Sequence, residues 1–227
     1  MCGRFSIVLT EKQIEDQLAN TFSGPDEPLE PMYNIAPTDR GLVVLNESPS
    51  TLHFLRWGLV PHWAKDSKHA AQLINARKED IESKPSFRQP IRHQRCVVIA
   101  DSFYEWKKVG KQRLPYRILP ADGSLLLMAG VWDECSLSSG RLRTFSIITT
   151  TPNAEMAAIH NRMPVLLHAS QWRDWLADQP LDDILGMLHP PSDRFLRMYP
   201  VSTAINKAGH QSAAMHEEVI HGPLTLF

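Results

Sequence analysis

The residue best equipped for chemistry is Cys2, in the opening run Met1-Cys2-Gly3-Arg4-Phe5. A small second residue is what removal of an initiator methionine requires. Loss of Met1 would leave Cys2 with a free α-amine, whose reference pKa of about 8 keeps part of it neutral at physiological pH, beside its own thiol. Such an aminothiol condenses with an aldehyde through nitrogen and then closes a five-membered thiazolidine through sulfur, converting a reversible imine into a durable link. An internal cysteine cannot do this. Taken by itself, position two is equally compatible with an ordinary small residue opening a strand.

Other chemistries have less support. Cys96 and Cys135 sit in apolar runs and read as packing residues, and an odd total of three cysteines argues against a disulfide framework. The histidines show no His-x-x-x-His spacing and the cysteines no Cys-x-x-Cys spacing, so no metal site is expected.

The elements that would position Cys2 are mostly strands. Phe5 to Leu9 reads as a β run, followed by a capping box, Thr10 with Gln13, opening an amphipathic helix that carries Ile14, Leu18 and Phe22. The stretch from Pro25 to Pro37 reads as loop. Leu42–Leu45 and Leu52–Trp57 form a hairpin-like pair, and Cys96–Ala100, Phe103–Trp106, Tyr116–Leu119, Leu125–Trp132 and Thr144–Thr150 make a strand-rich middle, with a turn at Asp122-Gly123. Helical patterns return at Asn153–His160, Gln171–Ala177 and Leu181–Leu188, and Met198–Ser202 reads as a last strand. The expected architecture is α+β: a single mixed domain over residues 1–227 with a strand-rich, barrel-like core and peripheral helices.

Hydrophobic residues at 43% allow a sizeable core, and no apolar run approaches the roughly 20 residues of a membrane span. With no signal-like leader either, an intracellular protein is expected. The formal charge of −1 means that any nucleic-acid surface must be a local patch. Arg88, Arg92, Arg95, Lys107, Lys108, Lys111 and Arg113 could form one, although charge runs are usually solvated faces.

Four further segments stand in order behind the N-terminal one: Tyr33-Asn34-Ile35-Ala36-Pro37-Thr38, Ile74-Asn75-Ala76-Arg77, Asp101-Ser102-Phe103-Tyr104-Glu105-Trp106 and Ile159-His160-Asn161-Arg162-Met163-Pro164. Together the five closely resemble the SRAP family, the abasic-site processing proteins also called SOS response-associated peptidases, over nearly the whole chain. The resemblance implies a covalent sensor of abasic sites in single-stranded DNA; a monomer is expected, and the chemistry requires no metal or organic cofactor. It makes Cys2 the nucleophile. Asn34 would hold the opened sugar or the Cys2 amine, although an asparagine there could merely cap a turn. Glu105, a carboxylate in an apolar strand, would accept a proton, and His160 would protonate the sugar ring oxygen; either could instead be a satisfied structural side chain. Arg4 and Arg77 resemble phosphate ligands, while Arg162 would assist them or buttress His160. In Arg56-Trp57-Gly58-Leu59-Val60-Pro61-His62-Trp63, both Trp57 and Trp63 could stack on bases or equally belong to the core. The imine stage would permit weak strand cleavage, and the same cysteine could remove Met1 autoproteolytically. Two rival readings are an N-terminal-nucleophile glutamine amidotransferase, in which the thiol attacks a glutamine amide, and a non-covalent single-strand binder in which Cys2 is incidental.

Overall fold

The fold follows from one long hairpin. A computed structural model describes residues 2–25 and 27–220. Its strands are β1 (Arg4–Ile7), β2 (Met32–Ile35), β3 (Arg40–Leu45), β4 (Ser48–Trp57), β5 (Asn75–Arg77), β6 (Arg95–Ala100), β7 (Ser102–Val109), β8 (Gln112–Pro120), β9 (Leu126–Leu137), β10 (Gly140–Thr150), β11 (Met163–Pro164), β12 (Leu166–Leu167) and β13 (Leu196–Pro200). The α-helices are short: α1 (Glu11–Leu18), α2 (Pro85–Arg88), α3 (Pro90–His93), α4 (Ala154–Ala157), α5 (Trp172–Leu176) and α6 (Leu181–Gly186). Among the described residues no helix is long and apolar enough to cross a membrane.

In the β9–β10 hairpin, β9 pairs onward with β6, β6 with β3 and β3 with β4, and β4 returns to β10 in parallel at Thr144 and Phe145. The circuit closes into a barrel, which leaves no free edge among these strands. From Thr144 to Thr150 strand β10 is buried at every residue, not at alternate ones. A second sheet, in the order β13-β8-β7-β1-β2, carries the N-terminal strand. This α+β architecture, strand-rich and barrel-like with peripheral helices, is the one expected from the sequence.

A buried polar network fastens the second sheet. The Asp101 carboxylate accepts the Ser6 hydroxyl and the Val8 N–H, the latter at 2.7 Å. Arg117 donates to Asp101 at 3.3 Å, to the Ser102 hydroxyl at 2.8 Å and to the Tyr199 hydroxyl at 2.7 Å. Tyr199 in turn donates to the carbonyl of His216 at 2.9 Å. Strands β1, β8 and β13 are thereby tied to the β6–β7 corner.

Several boundaries differ from expectation for identifiable reasons. The Pro25–Pro37 stretch is not all loop, because Met32–Ile35 forms β2 and pairs with β1; four residues bracketed by prolines are too few to show a period. Strand β5 went unexpected for the same reason, with only three residues. The expected helix over Asn153–His160 shrinks to Ala154–Ala157, capped by the Asn153 side chain, which accepts the Met156 N–H at 3.1 Å. The capping box of α1 forms as read: Gln13 N–H donates to the Thr10 hydroxyl at 3.3 Å, and Thr10 N–H donates to the Gln13 side chain at 2.9 Å.

Candidate active site

Cys2 lies just before β1, and its side chain is fully buried. The thiol points at the carbonyl of Arg4, 3.8 Å away. Burial pushes the thiol pKa up, and the negative charge of Glu105 raises it further. The sulfur therefore rests as a neutral thiol, a poor nucleophile in that form. Met1 lies outside the described residues.

Asn75 and Glu105 act on Cys2 from separate parts of the chain, and His160 adjoins Glu105. Strand β5, laid in parallel along β10, presents Asn75, whose amide donates to the Cys2 carbonyl at 2.8 Å. Strand β7 supplies Glu105, whose side chain is 3% exposed, and its Oε1 lies 3.8 Å from Nδ1 of His160. His160 ends the turn that follows α4, with its own N–H bonded to the Met156 carbonyl at 2.8 Å. The Arg162 backbone N–H lies 3.0 Å from His160 Nδ1. The Arg162 carbonyl lies 3.2 Å from the same nitrogen, so Nδ1 can accept from the N–H in one tautomer or donate to the carbonyl in the other.

Arg162 secures that turn. Its guanidinium makes two parallel bonds to the Glu79 carboxylate, at 2.8 and 3.0 Å, and a third to the Thr149 carbonyl at 2.6 Å. The pair holds the Glu79 carboxyl below the usual glutamate range. In this arrangement Arg162 buttresses His160. Arg4 is half-buried and donates to the Gly3 carbonyl at 3.1 Å. Arg77 is exposed on β5, opposite Thr149, and has no carboxylate partner among the described residues.

Two expected site residues lie elsewhere. Asn34 is fully buried, and its amide faces the carbonyls of Ile205, Lys207 and His210 at 3.4, 3.0 and 3.2 Å. Its backbone N–H and C=O both bond the Gln211 side chain, at 3.0 and 3.1 Å. Asn34 thus clasps the C-terminal turns, and the amide that meets Cys2 belongs to Asn75. Trp57 is a core residue: its ring meets Phe5 edge-on with centroids 5.0 Å apart, and its N–H bonds the Ile74 carbonyl at 2.9 Å. Trp63, by contrast, is 58% exposed and remains available for stacking.

Truncation of the two asparagines should separate their roles. Asn75→Ala is expected to slow reaction at the Cys2 amine by about tenfold, the equivalent of one lost hydrogen bond, with little change in stability. Asn34→Ala should leave buried carbonyls unsatisfied and cost about 1–3 kcal/mol in a urea titration. Equal loss of rate in both would sink the distinction.

Known proteins resemble this chain throughout. The family model described as SOS response associated peptidase (SRAP) matches residues 1–208. The abasic site processing protein YoaM of Bacillus subtilis (strain 168) is 38% identical over 226 residues, covering 97% of this chain and 100% of its own. A second from the same organism, YoqW, is 39% identical over 222 residues, covering 96% of this chain and 99% of its own. The crystal structure of a protein from Bacteroides thetaiotaomicron shares the fold, with a TM-score of 0.87 at 24% identity over 96% of this chain and 100% of that one.

Proposed function

From a chain that belongs to the SOS response-associated peptidase (SRAP) family, we propose a protein that processes abasic sites in single-stranded DNA, capturing the lesion's aldehyde on Cys2 once Met1 is removed. The observation that carries this reading is the meeting of Cys2, Asn75, Glu105 and His160 in one place. The relatives named for abasic-site processing support the substrate.

The bound sugar opens when His160, in its protonated form, gives a proton to the ring oxygen as the bond from that oxygen to C1 breaks and the C1 hydroxyl releases its own proton, exposing the aldehyde. The Cys2 amine adds to the aldehyde carbon, Glu105 takes a proton from nitrogen, and loss of one water leaves the imine. The thiol then adds across the C=N bond: carbon gains sulfur, nitrogen gains the hydrogen, and a thiazolidine closes. The resting thiol is protonated, so the amine attacks first. That order disfavours the amidotransferase reading, in which sulfur must attack first. Arg77 and Arg4 are suited to phosphates beside the lesion, and Trp63 to an unpaired base. Until the ring closes, the imine permits β-elimination, a route to weak lyase activity; removal of Met1 by the protein itself would expose the amine.

The test uses protein lacking Met1 and a single-stranded oligonucleotide with one abasic residue. A denaturation-resistant adduct should form, with a mass equal to the sum of the two minus one water. Cys2→Ser should leave at most an imine that is trapped only by borohydride. A durable adduct from Cys2→Ser, or from protein retaining Met1, would overturn the mechanism.

A further inference from the structure

Residues 106–121 contain no acidic side chain, yet Lys107, Lys108, Lys111, Arg113 and Arg117 fall within them. Arg117 belongs to the buried network. The other four gather at the tip of the β7–β8 hairpin, where Val109 pairs with Gln112 and leaves Gly110 and Lys111 as a two-residue turn. Gly110 has φ of +60°, as the first position of a II′ turn requires. The tip stands clear of the body, since a Cβ built on Gly110 would meet nothing within 4 Å.

Lys108 lies directly opposite Arg113 across the ladder. Like charges in that position repel and weaken a hairpin. Several cations elsewhere have carboxylate partners: Lys12 with Asp16, Arg40 with Glu27, Arg92 with Glu82 and Arg143 with Glu134. No such pair involves the four hairpin cations among the described residues. The basic track expected from the sequence therefore divides. Arg95 is buried and donates to four backbone carbonyls, those of Trp175, Ile91, Arg92 and Ala177, Arg92 is ion-paired, and Arg88 is exposed on α2, apart from the cations of the hairpin.

We infer that the β7–β8 hairpin grips the phosphate backbone of the single strand as it leaves the Cys2 site. This rests on the function proposed above. The hairpin is continuous with the site: β7 carries Glu105, and alternation places Lys107 on the same face, about 7 Å further along the strand. A strand running outward from Glu105 meets Lys107 and then Lys111. Lys108 and Arg113 fall by the same alternation on the opposite face of the hairpin.

The experiment measures binding of undamaged single-stranded oligonucleotide, where no covalent step intervenes, from 50 to 200 mM salt. Lys107→Gln/Lys111→Gln should flatten the slope of log K against log salt by about 1.4, at about 0.7 per lost phosphate contact on a single strand, whereas Lys108→Gln/Arg113→Gln, on the opposite face, should leave the slope nearly unchanged. Lys108→Gln/Arg113→Gln should also raise the thermal midpoint by about 1–3 °C, because the opposed charges are gone. A slope that changes in the first variant and not in the second is an outcome that simple damage to the fold would not give. An unchanged salt slope in Lys107→Gln/Lys111→Gln, or an equal change in both variants, overturns the inference. Adduct formation at low salt, assayed in parallel, separates the two proposals: absence of adduct in the parent protein sinks the Cys2 mechanism, whereas adduct with an unchanged slope sinks the hairpin alone.

Discussion

Glu105→Gln is expected to slow adduct formation by about 100-fold to 10,000-fold, the usual worth of a positioned acid or base. The substitution keeps the size and planarity of the group, so the thermal midpoint should stay within a few degrees of the parent. It also removes a negative charge that opposes ionisation of the Cys2 thiol. The thiol pKa should therefore fall, although burial, the larger cause, still holds it up. Alkylation of Cys2 by a small neutral reagent should then occur at lower pH in the variant while capture of the abasic site is slower. These opposite movements distinguish a proton acceptor from a residue that merely tunes the sulfur; capture and alkylation accelerating together would remove Glu105 from the proton path. His160→Gln should slow capture too, and the double variant should cost much less than the product of the single losses, because the two groups serve one reaction.

Arg117→Met is expected to lower stability by about 3–5 kcal/mol. The Arg117 and Asp101 side chains are only 12% and 11% exposed, so the substitution strands a carboxylate with its counter-charge gone. Two further acceptors, the hydroxyls of Ser102 and Tyr199, lose a charged donor at the same time. Pairing the change with Asp101→Asn should recover part of the loss, since no buried charge then remains unpaired. Urea denaturation of the single and double variants measures both effects, and a single-variant loss below about 1 kcal/mol would show that the network is not stabilising. Because Ser6 and Val8 are held by the same carboxylate, the strand that begins at Cys2 depends on it.

How much of this was legible depended on the kind of signal each residue leaves. The capping box at Thr10 and the apolar runs of β3, β6 and β10 are local patterns, and they appear where the sequence puts them. Cys2, Glu105 and His160 stand out through the resemblance of their motifs to one family, and in the structure Glu105 lies near both of the others. The two asparagines were not distinguishable. Asn34 and Asn75 each sit within a short motif among apolar neighbours, and only the pairing of β5 with β10 places one of them at Cys2. The missing signal was Arg77, two residues beyond Asn75 and therefore on the same face of one strand. Trp57 and Trp63 posed the same difficulty, six residues apart around Gly58. Trp57 ends β4 inside the barrel, and the chain leaves the barrel before Trp63.

That exit has a consequence for how such a protein can diversify. Strand β4 meets β10 at Thr144 and Phe145, and β5 meets the same strand, in the same parallel sense, at Ile147 to Thr149. The two are successive lengths of a single seam, interrupted by the excursion that carries Trp63. Its neck is cinched: Gly58, with φ of +121°, donates to the Phe145 carbonyl at 2.8 Å, and a Cβ there would lie 2.5 Å from the Ala70 carbonyl oxygen. Closure of the barrel is thus independent of how much chain lies beyond the neck, since both ends of the excursion are fixed to one neighbour. Length and composition can drift in the excursion that carries Trp63 while Asn75, at the resumption of the seam, keeps its place beside Cys2.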